Sequence, residues 1–517
     1  MLNIRRILFI VVTLVTFILS ACTPESAGTD TTVKTDNSSS SSKTDLLIGL
    51  EADAVTLLAN TDVNYVNDVQ IRNIYDPLID RDEKGGFIPS LATEWKSIDD
   101  LTWEFKLREG VTFQNGKPFT AEDVKANIDY ILNEENNSFY RSRWTNVKEA
   151  NIIDQYTVQV VTHEPFPTML ERIAGDLLIM DMDYFQEAGA DEAAKNPVGT
   201  GAYKVVEWAR DQYLELEAYD GYWQGAPEIK SLKFRYIPEF SSRLNAFLSG
   251  EIHLFMGVPS DAEKTIKDNP NSRIDSVGSA RIQYIALNTF FDGPVQDKRV
   301  RQALNYAVDV EELNETIMSG AETVITGSLS KVNADFVETE GYGYDPDKAV
   351  ELLKEAGYEP SDLKLRLDTS NGGPMDSQVV QAIGSQLSRI GIETEIQMNE
   401  WGTFLANIRQ RSMYDMFILS WGPGFEAQST IENLFMKDAP YSSFYDPEME
   451  EMIKNALPIV DPEKRYEAFA EIQHKLVEEA AWIPLWQQTD KYAVDKDLNF
   501  TPRPDQRYVV RSMSWNQ

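Results

Sequence analysis

The spacing of apolar positions changes several times along the chain and divides it into three stretches. Residues 7–19 form a mainly apolar run. Residues 23–44 hold 12 Ser or Thr among 22 positions, with Ala27 and Val33 as the only apolar side chains. Such a stretch buries nothing and is expected to stay without a core, as a flexible tether. From residue 45 onward, short strands alternate with helices. In LTWEFKLREGV (101–111), Trp103, Phe105 and Leu107 recur at period two, the pattern of a half-buried strand. The segments 157–162, 213–219, 231–237, 364–369 and 393–398 read the same way.

Helix starts are marked by their caps. Thr120, with Asp123 three residues on, predicts the start of a helix whose apolar stripe is Val124, Ile128, Ile131 and Leu132. Asp345-Pro346, Asp446-Pro447 and Asp461-Pro462, each followed by an acid, place a cap, a preorganised first turn and a dipole-matched charge in succession. The first of these helices should carry Ala349, Leu352, Leu353 and Ala356 inward and end at Gly357. No internal repeat and no second linker interrupts the pattern, so any domains must be intertwined or tightly docked.

Charge narrows the partners. With 48 basic and 83 acidic residues the net charge is −35, a field that repels nucleic acid. Cys22 is the one cysteine, which excludes an intramolecular disulfide and any multi-cysteine metal site. His163, His253 and His474 are isolated and lack metal-ligand spacing. No P-loop or nucleophile elbow occurs, and Gly199-Thr200-Gly201 reads as a turn, since the last glycine of a dinucleotide fingerprint is missing. Carboxylates are too abundant for any pair of them to signal a glycosidase. No enzyme, cofactor or metal is expected.

The leader has Arg5 and Arg6 ahead of its apolar run, which is shorter than the about 20 residues needed to span a bilayer. Leu19-Ser20-Ala21-Cys22 follows and resembles the lipobox of bacterial lipoproteins. That resemblance implies cleavage before Cys22, a diacylglycerol on its thiol, and residence at the outer face of the cell membrane, or in the periplasm of a cell with two membranes.

Beyond the tether, an ordered set of segments carries a second resemblance. It comprises IYDPLIDRDEKGGFIPSLATEWKSIDDLTWEFKLREGVTFQNGKPFTAEDV (74–124), NPVGTGAYKVVEW (196–208), DGYWQGAPEIKSLKFRYI (220–237), FLSGEI (247–252), YIALNT (284–289), DKRVRQALNYAVD (297–309), YDPDKAVELLKEAGY (344–358) and MFILSWGPG (416–424). Together these resemble family 5 extracellular solute-binding proteins, the oligopeptide, dipeptide and nickel-binding receptors of ABC importers. The resemblance implies an α/β bilobed periplasmic-binding-protein-like fold (type II, cluster C) with mixed β-sheets and an extra inserted domain. Lobe I would comprise 45–73, 193–285 and 486–517, the insert 74–192, and lobe II 286–485, with YIALNT as one hinge crossing. It also implies a monomer that closes on a peptide or other small polar solute and delivers it to the ABC permease.

The loop SWGPGFEAQST (420–430) is the place to look for the ligand. Peptide-binding relatives carry an aspartate shortly after this tryptophan, which pairs with the peptide's ammonium. Here the third position after Trp421 is Gly424, and Phe425 and Glu426 follow. Either Glu426 replaces that aspartate or the ligand has no amine there; a solvated loop residue is the plain alternative. Trp401 and Trp421 are aromatic candidates for the cleft wall, with core packing as the competing role, and the same holds for Trp223. Arg389, Arg409 and Arg411 are candidates for a ligand carboxylate or simple surface charges. Other readings are the same fold on an oligosaccharide or other amine-free solute, a surface peptide sensor or adhesion lipoprotein, and, remotely, a secreted hydrolase.

Overall fold

The expected alternation of strands and helices resolves into two main sheets. The computed structural model describes residues 43–516 apart from 62–64, 371–375 and 423, so Cys22 and the Ser/Thr-rich stretch up to residue 42 lie outside the described residues. Strand β1 (Asp45–Leu50) opens the fold. The hairpin β2 (Ile79–Arg81) and β3 (Phe87–Pro89) leads into β4 (Ala92–Asp99), β5 (Thr102–Leu107), β6 (Val147–Asp154) and β7 (Thr157–Thr162). These last four form an antiparallel sheet in the order β4-β5-β7-β6. The chain then makes β8 (Tyr203–Ala209), β9 (Tyr213–Ala218), β10 (Ser231–Tyr236), β11 (Leu254–Met256) and the long β12 (Ser272–Leu287). After β13 (Thr323–Val324) come β14 (Lys364–Ser370), β15 (Glu393–Asn399), β16 (Met416–Trp421) and a second long strand, β17 (Trp482–Asp495).

Of these strands, all but those of the small sheet and the β2–β3 hairpin join one sheet in the order β15-β14-β16-β12-β17-β11-β1-β10-β9-β8, with β13 against β17, and near the C-terminus Leu498–Asn499 pairs separately with Ser514–Trp515. On one side β1 runs parallel to β10 and β11; on the other, β14 runs parallel to β15 and β16. The antiparallel pair β12 and β17 runs through both halves, and its register breaks between Gly278 and Ile282.

Packing follows from the periods. Ile285 and Leu287 of β12 face a core with Leu365, Leu367, Val380 and Ile383. Their neighbours Ile282, Tyr284 and Ala286 face another core with Phe417, Leu419, Phe469 and Ile472. Both faces of this half are therefore covered, as a parallel sheet requires. Leu46, Ile48, Leu214, Leu216, Leu232 and Phe234 build the core of the opposite half. Phe105, Val158 and Val160 of the small sheet pack on Val124, Ile128 and Ile131, the stripe expected for the helix Ala121–Leu132.

The caps match the sequence. Thr120 and Asp123 form a reciprocal capping box, and Asp345, Asp446 and Asp461 each accept a backbone N–H in the first turn of a Pro-started helix. Gly357 takes φ +91° just beyond the helix Pro346–Glu355. The segment 101–111 differs from the expectation: its strand ends at Leu107, because Gly110 at φ +78° turns the chain away.

His253 contributes a pH dependence. Its Nδ1 accepts the Leu47 N–H at 3.1 Å, and its ring meets Trp515 edge-on. Burial, with Lys43 nearby, lowers its pKa to about 4. The folded state therefore holds the neutral ring, and its contribution is complete above about pH 6.5, the unfolded value, and lost as pH falls toward 4. Thermal melts between pH 7 and 4.5 should show a smaller loss of stability for His253→Gln than for the wild type; equal slopes would refute the assignment.

Candidate functional site

Parallel strands leave a crevice beyond their carboxyl ends, where ligands of open α/β sheets bind. In this chain two such sets exist. One ends at Leu50, Tyr236 and Met256; the other ends at Ser370, Asn399 and Trp421. A cavity of about 680 Å³ is lined from both. Phe240 and residues 257–261 follow β10 and β11, and Gln378 follows β14. The crossing pair supplies Gln283 from β12 and residues 488–491 from β17. Ile317, Met318, Ser319 and Glu322 close one side. The volume lies within the 300–1,000 Å³ typical of small-molecule sites.

Phe240, Val258, Pro259, Ile317 and Met318 give the cavity an apolar wall, while Gln283, Gln378, Gln488 and Thr489 bring amide and hydroxyl groups. Its charged lining is Asp261, Glu322, Asp490 and Lys491. Glu322 Oε2 accepts the Thr489 N–H at 2.5 Å, and burial pushes its pKa up to about 7. Burial also raises Asp490, whose Oδ2 accepts from Gln506 Nε2 at 2.7 Å. Asp376, just behind Gln283, accepts from the Gln283 amide at 2.7 Å and is raised by burial to about 6. Lys491 Nζ lies 2.6 Å from Glu263 Oε1 and 3.2 Å from Ser260 Oγ. Among the described residues, no group of three or more His, Cys, Asp or Glu is arranged to hold a metal ion.

None of Trp401, Trp421, Gly424, Phe425 and Glu426 lines this cavity. Trp421 ends β16 and tilts onto Tyr441 at 5.3 Å. The Gly424 carbonyl accepts from Asn333 Nδ2 at 3.3 Å. The Phe425 ring lies 4.9 Å from the Arg81 guanidinium and rests on Gly85, where a Cβ would come within 2.6 Å of the ring. Trp401 opens the helix Trp401–Arg409 at 42% exposure and stacks on Phe404.

Glu426 corrects the solvated-loop alternative, being only 8% exposed. It caps the helix Ala427–Phe435 by accepting the Ser429 N–H at 2.8 Å, and its Oε1 lies 3.5 Å from Arg172 Nη2. Burial and the nearby Glu171 carboxylate push its pKa up to about 7. Its oxygens are thus engaged within the protein. Arg389 pairs with Glu312, Arg409 bonds the Tyr441 hydroxyl, and Arg411 bonds the Lys437 carbonyl. Trp223 packs between two cores and donates to Asp76 at 2.9 Å, which is the packing alternative rather than a place in the cleft wall.

The cavity residues were missed in the sequence, although a signal for them existed. In WIPLWQQTDKYAVD, the strand β17, apolar ends flank the polar run Gln487-Gln488-Thr489-Asp490-Lys491. A long strand buried at both ends and polar in the middle is one that crosses a cleft.

The model of "Bacterial extracellular solute-binding proteins, family 5 Middle" matches residues 86–442. The glutathione-binding protein GsiB of Salmonella typhi is 29% identical over 401 residues, covering 75% of this chain and 78% of that protein. Among solved structures, the ABC transporter substrate binding protein CtaP of Listeria monocytogenes is similar at a TM-score of 0.85 and 24% identity, over 92% of this chain and 100% of that one. The oligopeptide-binding protein AppA of Bacillus subtilis, in complex with a nonapeptide, gives 0.74 and 22% over 92% and 99%. The structural likeness is one of fold, a bilobed α/β architecture with mixed sheets.

Proposed function

Since the chain belongs to family 5 of the bacterial extracellular solute-binding proteins, we propose that it captures short peptides between two lobes and delivers them to the permease of an ABC importer, held at the membrane by a lipid on Cys22. The observation that carries this reading is the cavity of about 680 Å³ between the carboxyl ends of two parallel strand sets, with the crossing strands β12 and β17 along it. It combines an apolar wall with amides that match a peptide backbone, and such a site needs no catalytic group. Relatives described as binding glutathione, itself a small peptide, and an oligopeptide support the same ligand class. In this reading lobe I is 45–73, 193–285 and 486–517, the insert is 74–192 and lobe II is 286–485, except that the crossing on β12 falls at 278–282 rather than at YIALNT, because Ile282, Tyr284 and Ile285 pack in cores of the lobe II half. Phe425 and Glu426 then act as a closing contact against the insert, on Gly85, Arg81 and Arg172, rather than as the peptide's anchor.

The test uses the mature chain purified without its Cys22 lipid. Denaturation followed by mass spectrometry of the released material should yield short peptides. A peptide library should include members that raise the melting temperature with concentration, by about 2.7 kcal/mol of stabilisation at a hundredfold excess over Kd. Release of carbohydrate alone, with no shift from any peptide, would overturn the peptide reading in favour of an amine-free solute. Release of Cys22-bearing protein from membranes by alkaline extraction without detergent would overturn the anchor.

A further inference from the structure

The charges that face the cavity are unbalanced. Asp261, Glu322 and Asp490 stand against Lys491 alone, and Lys491 is already in contact with Glu263 and Ser260 behind it. Among the described residues, no lysine or arginine forms an ion pair with Glu322 or Asp490, although both are partly withdrawn from water; Lys491 and Arg281 act on them only from beyond ion-pair distance. The neighbouring donors are neutral: the Thr489 N–H on Glu322 and the Gln506 amide on Asp490. Two adjacent carboxylates whose direct donors are neutral lose hydration on burial, and a cation in the cavity would offset that loss further than Lys491 and Arg281 do. We infer that this cavity selects a solute carrying a cationic group, an ammonium or guanidinium that docks against Glu322 and Asp490.

The inference rests on the reading of this cavity as the ligand site, and it names the ligand's charge. The raised carboxyl groups agree with it, because an arriving cation stabilises their ionised forms. An anionic solute meets three carboxylates against one lysine in the lining, so it is disfavoured. The ammonium belongs either to a free peptide N-terminus or to a basic side chain, and the probes below separate these sources.

Titration calorimetry at pH 7.5 on the mature chain would compare Ala-Lys-Ala, N-acetyl-Ala-Lys-Ala, Ala-Ala-Ala, Ala-Glu-Ala and putrescine. The expected order of affinity places the lysine peptides first and Ala-Glu-Ala last. Retention of affinity after acetylation assigns the ammonium to the side chain, and its loss assigns it to the N-terminus. Glu322→Gln keeps an acceptor for Thr489 and should weaken Ala-Lys-Ala by about 30-fold, as for loss of a charge-assisted contact. Asp490→Asn, with an unchanged melting temperature, serves as the second variant and should act in the same direction. Peptides that bind without regard to charge, or with an order that both variants leave intact, would overturn the inference while the peptide reading stands. Putrescine binding that depends on Glu322, with every peptide inert, would uphold the inference and overturn the peptide reading. If no probe binds, both fall.

Discussion

Alanine at Gly201 should destabilise the protein by about 3 kcal/mol, near the upper end for an overpacked site that cannot relax cheaply. The chain leaves its first core through Ile74 and Tyr75 and returns through Gly199, Thr200 and Gly201, so two connecting segments lie against one another here. Gly201 N–H donates to the Ile74 carbonyl at 2.9 Å. A Cβ on Gly201 would lie 2.5 Å from the Ile74 carbonyl carbon and 2.7 Å from the Tyr75 nitrogen. These are backbone atoms, which cannot swing aside as a side chain would. Gln114 fastens the joint further, donating to the carbonyls of Ile74, Gly201 and Tyr203. Gly343, where a Cβ would meet nothing within 4 Å, supplies the control, and Gly343→Ala should be near neutral. Urea unfolding of the two variants measures the difference; a Gly201→Ala change below about 0.5 kcal/mol, the scale of ordinary surface substitutions, would show that the segments separate freely.

Arg172→Ala is expected to weaken ligand binding about 30-fold, chiefly through faster dissociation. Arg172 lies on the helix Met169–Asp176 and reaches both Asp176 and Glu426 at 3.5 Å, at 11% side-chain exposure. It joins the small-sheet unit to the loop beyond β16, beside the contact of Phe425 with Gly85 and Arg81. A charged contact of this kind is worth roughly 2 kcal/mol, and under the proposed function its removal would lower the fraction of protein closed over its ligand. Arg172→Lys keeps the charge without the planar fork and should fall between the two. Stopped-flow displacement of a bound peptide reads the rate directly. A dissociation rate that stays at the wild-type value would remove Arg172 from the closing contact.

Much of the framework was legible because local chemistry and tertiary packing agree. Asp-Pro before an apolar stripe predicts a capped helix at three places, and all three form. Strands β7, β9, β10, β14 and β15 fall within a residue of the apolar alternation. The ligand region was less legible, for reasons visible in two residues. Glu426 reads as an anchor or a loop residue because it follows shortly after Trp421, near the aspartate of peptide-binding relatives, and glutamate is an uncommon helix cap, so the sequence does not suggest the capping role seen here. Glu322 stands in an irregular segment ahead of the two-residue β13, and its partner Thr489 is 167 residues away. No periodicity connects such residues; the sheet order alone brings them together.

The pair β12 and β17 also has a mechanical meaning. It is continuous through both halves, and its ladder is interrupted between Gly278 and Ile282, so a relative rotation of the halves would concentrate its twist there. Groups close to a pivot have short lever arms. Gln283 and Gln488 sit on these strands next to the interruption and would be displaced least if the halves turned. If the cavity is the ligand site, part of it would keep its shape in an open protein, and a solute would be read by this fixed surface before the rest of the wall arrived. Substitutions at Gly278 would then alter how fast the protein shuts, whereas those at Glu322 would alter what it shuts upon.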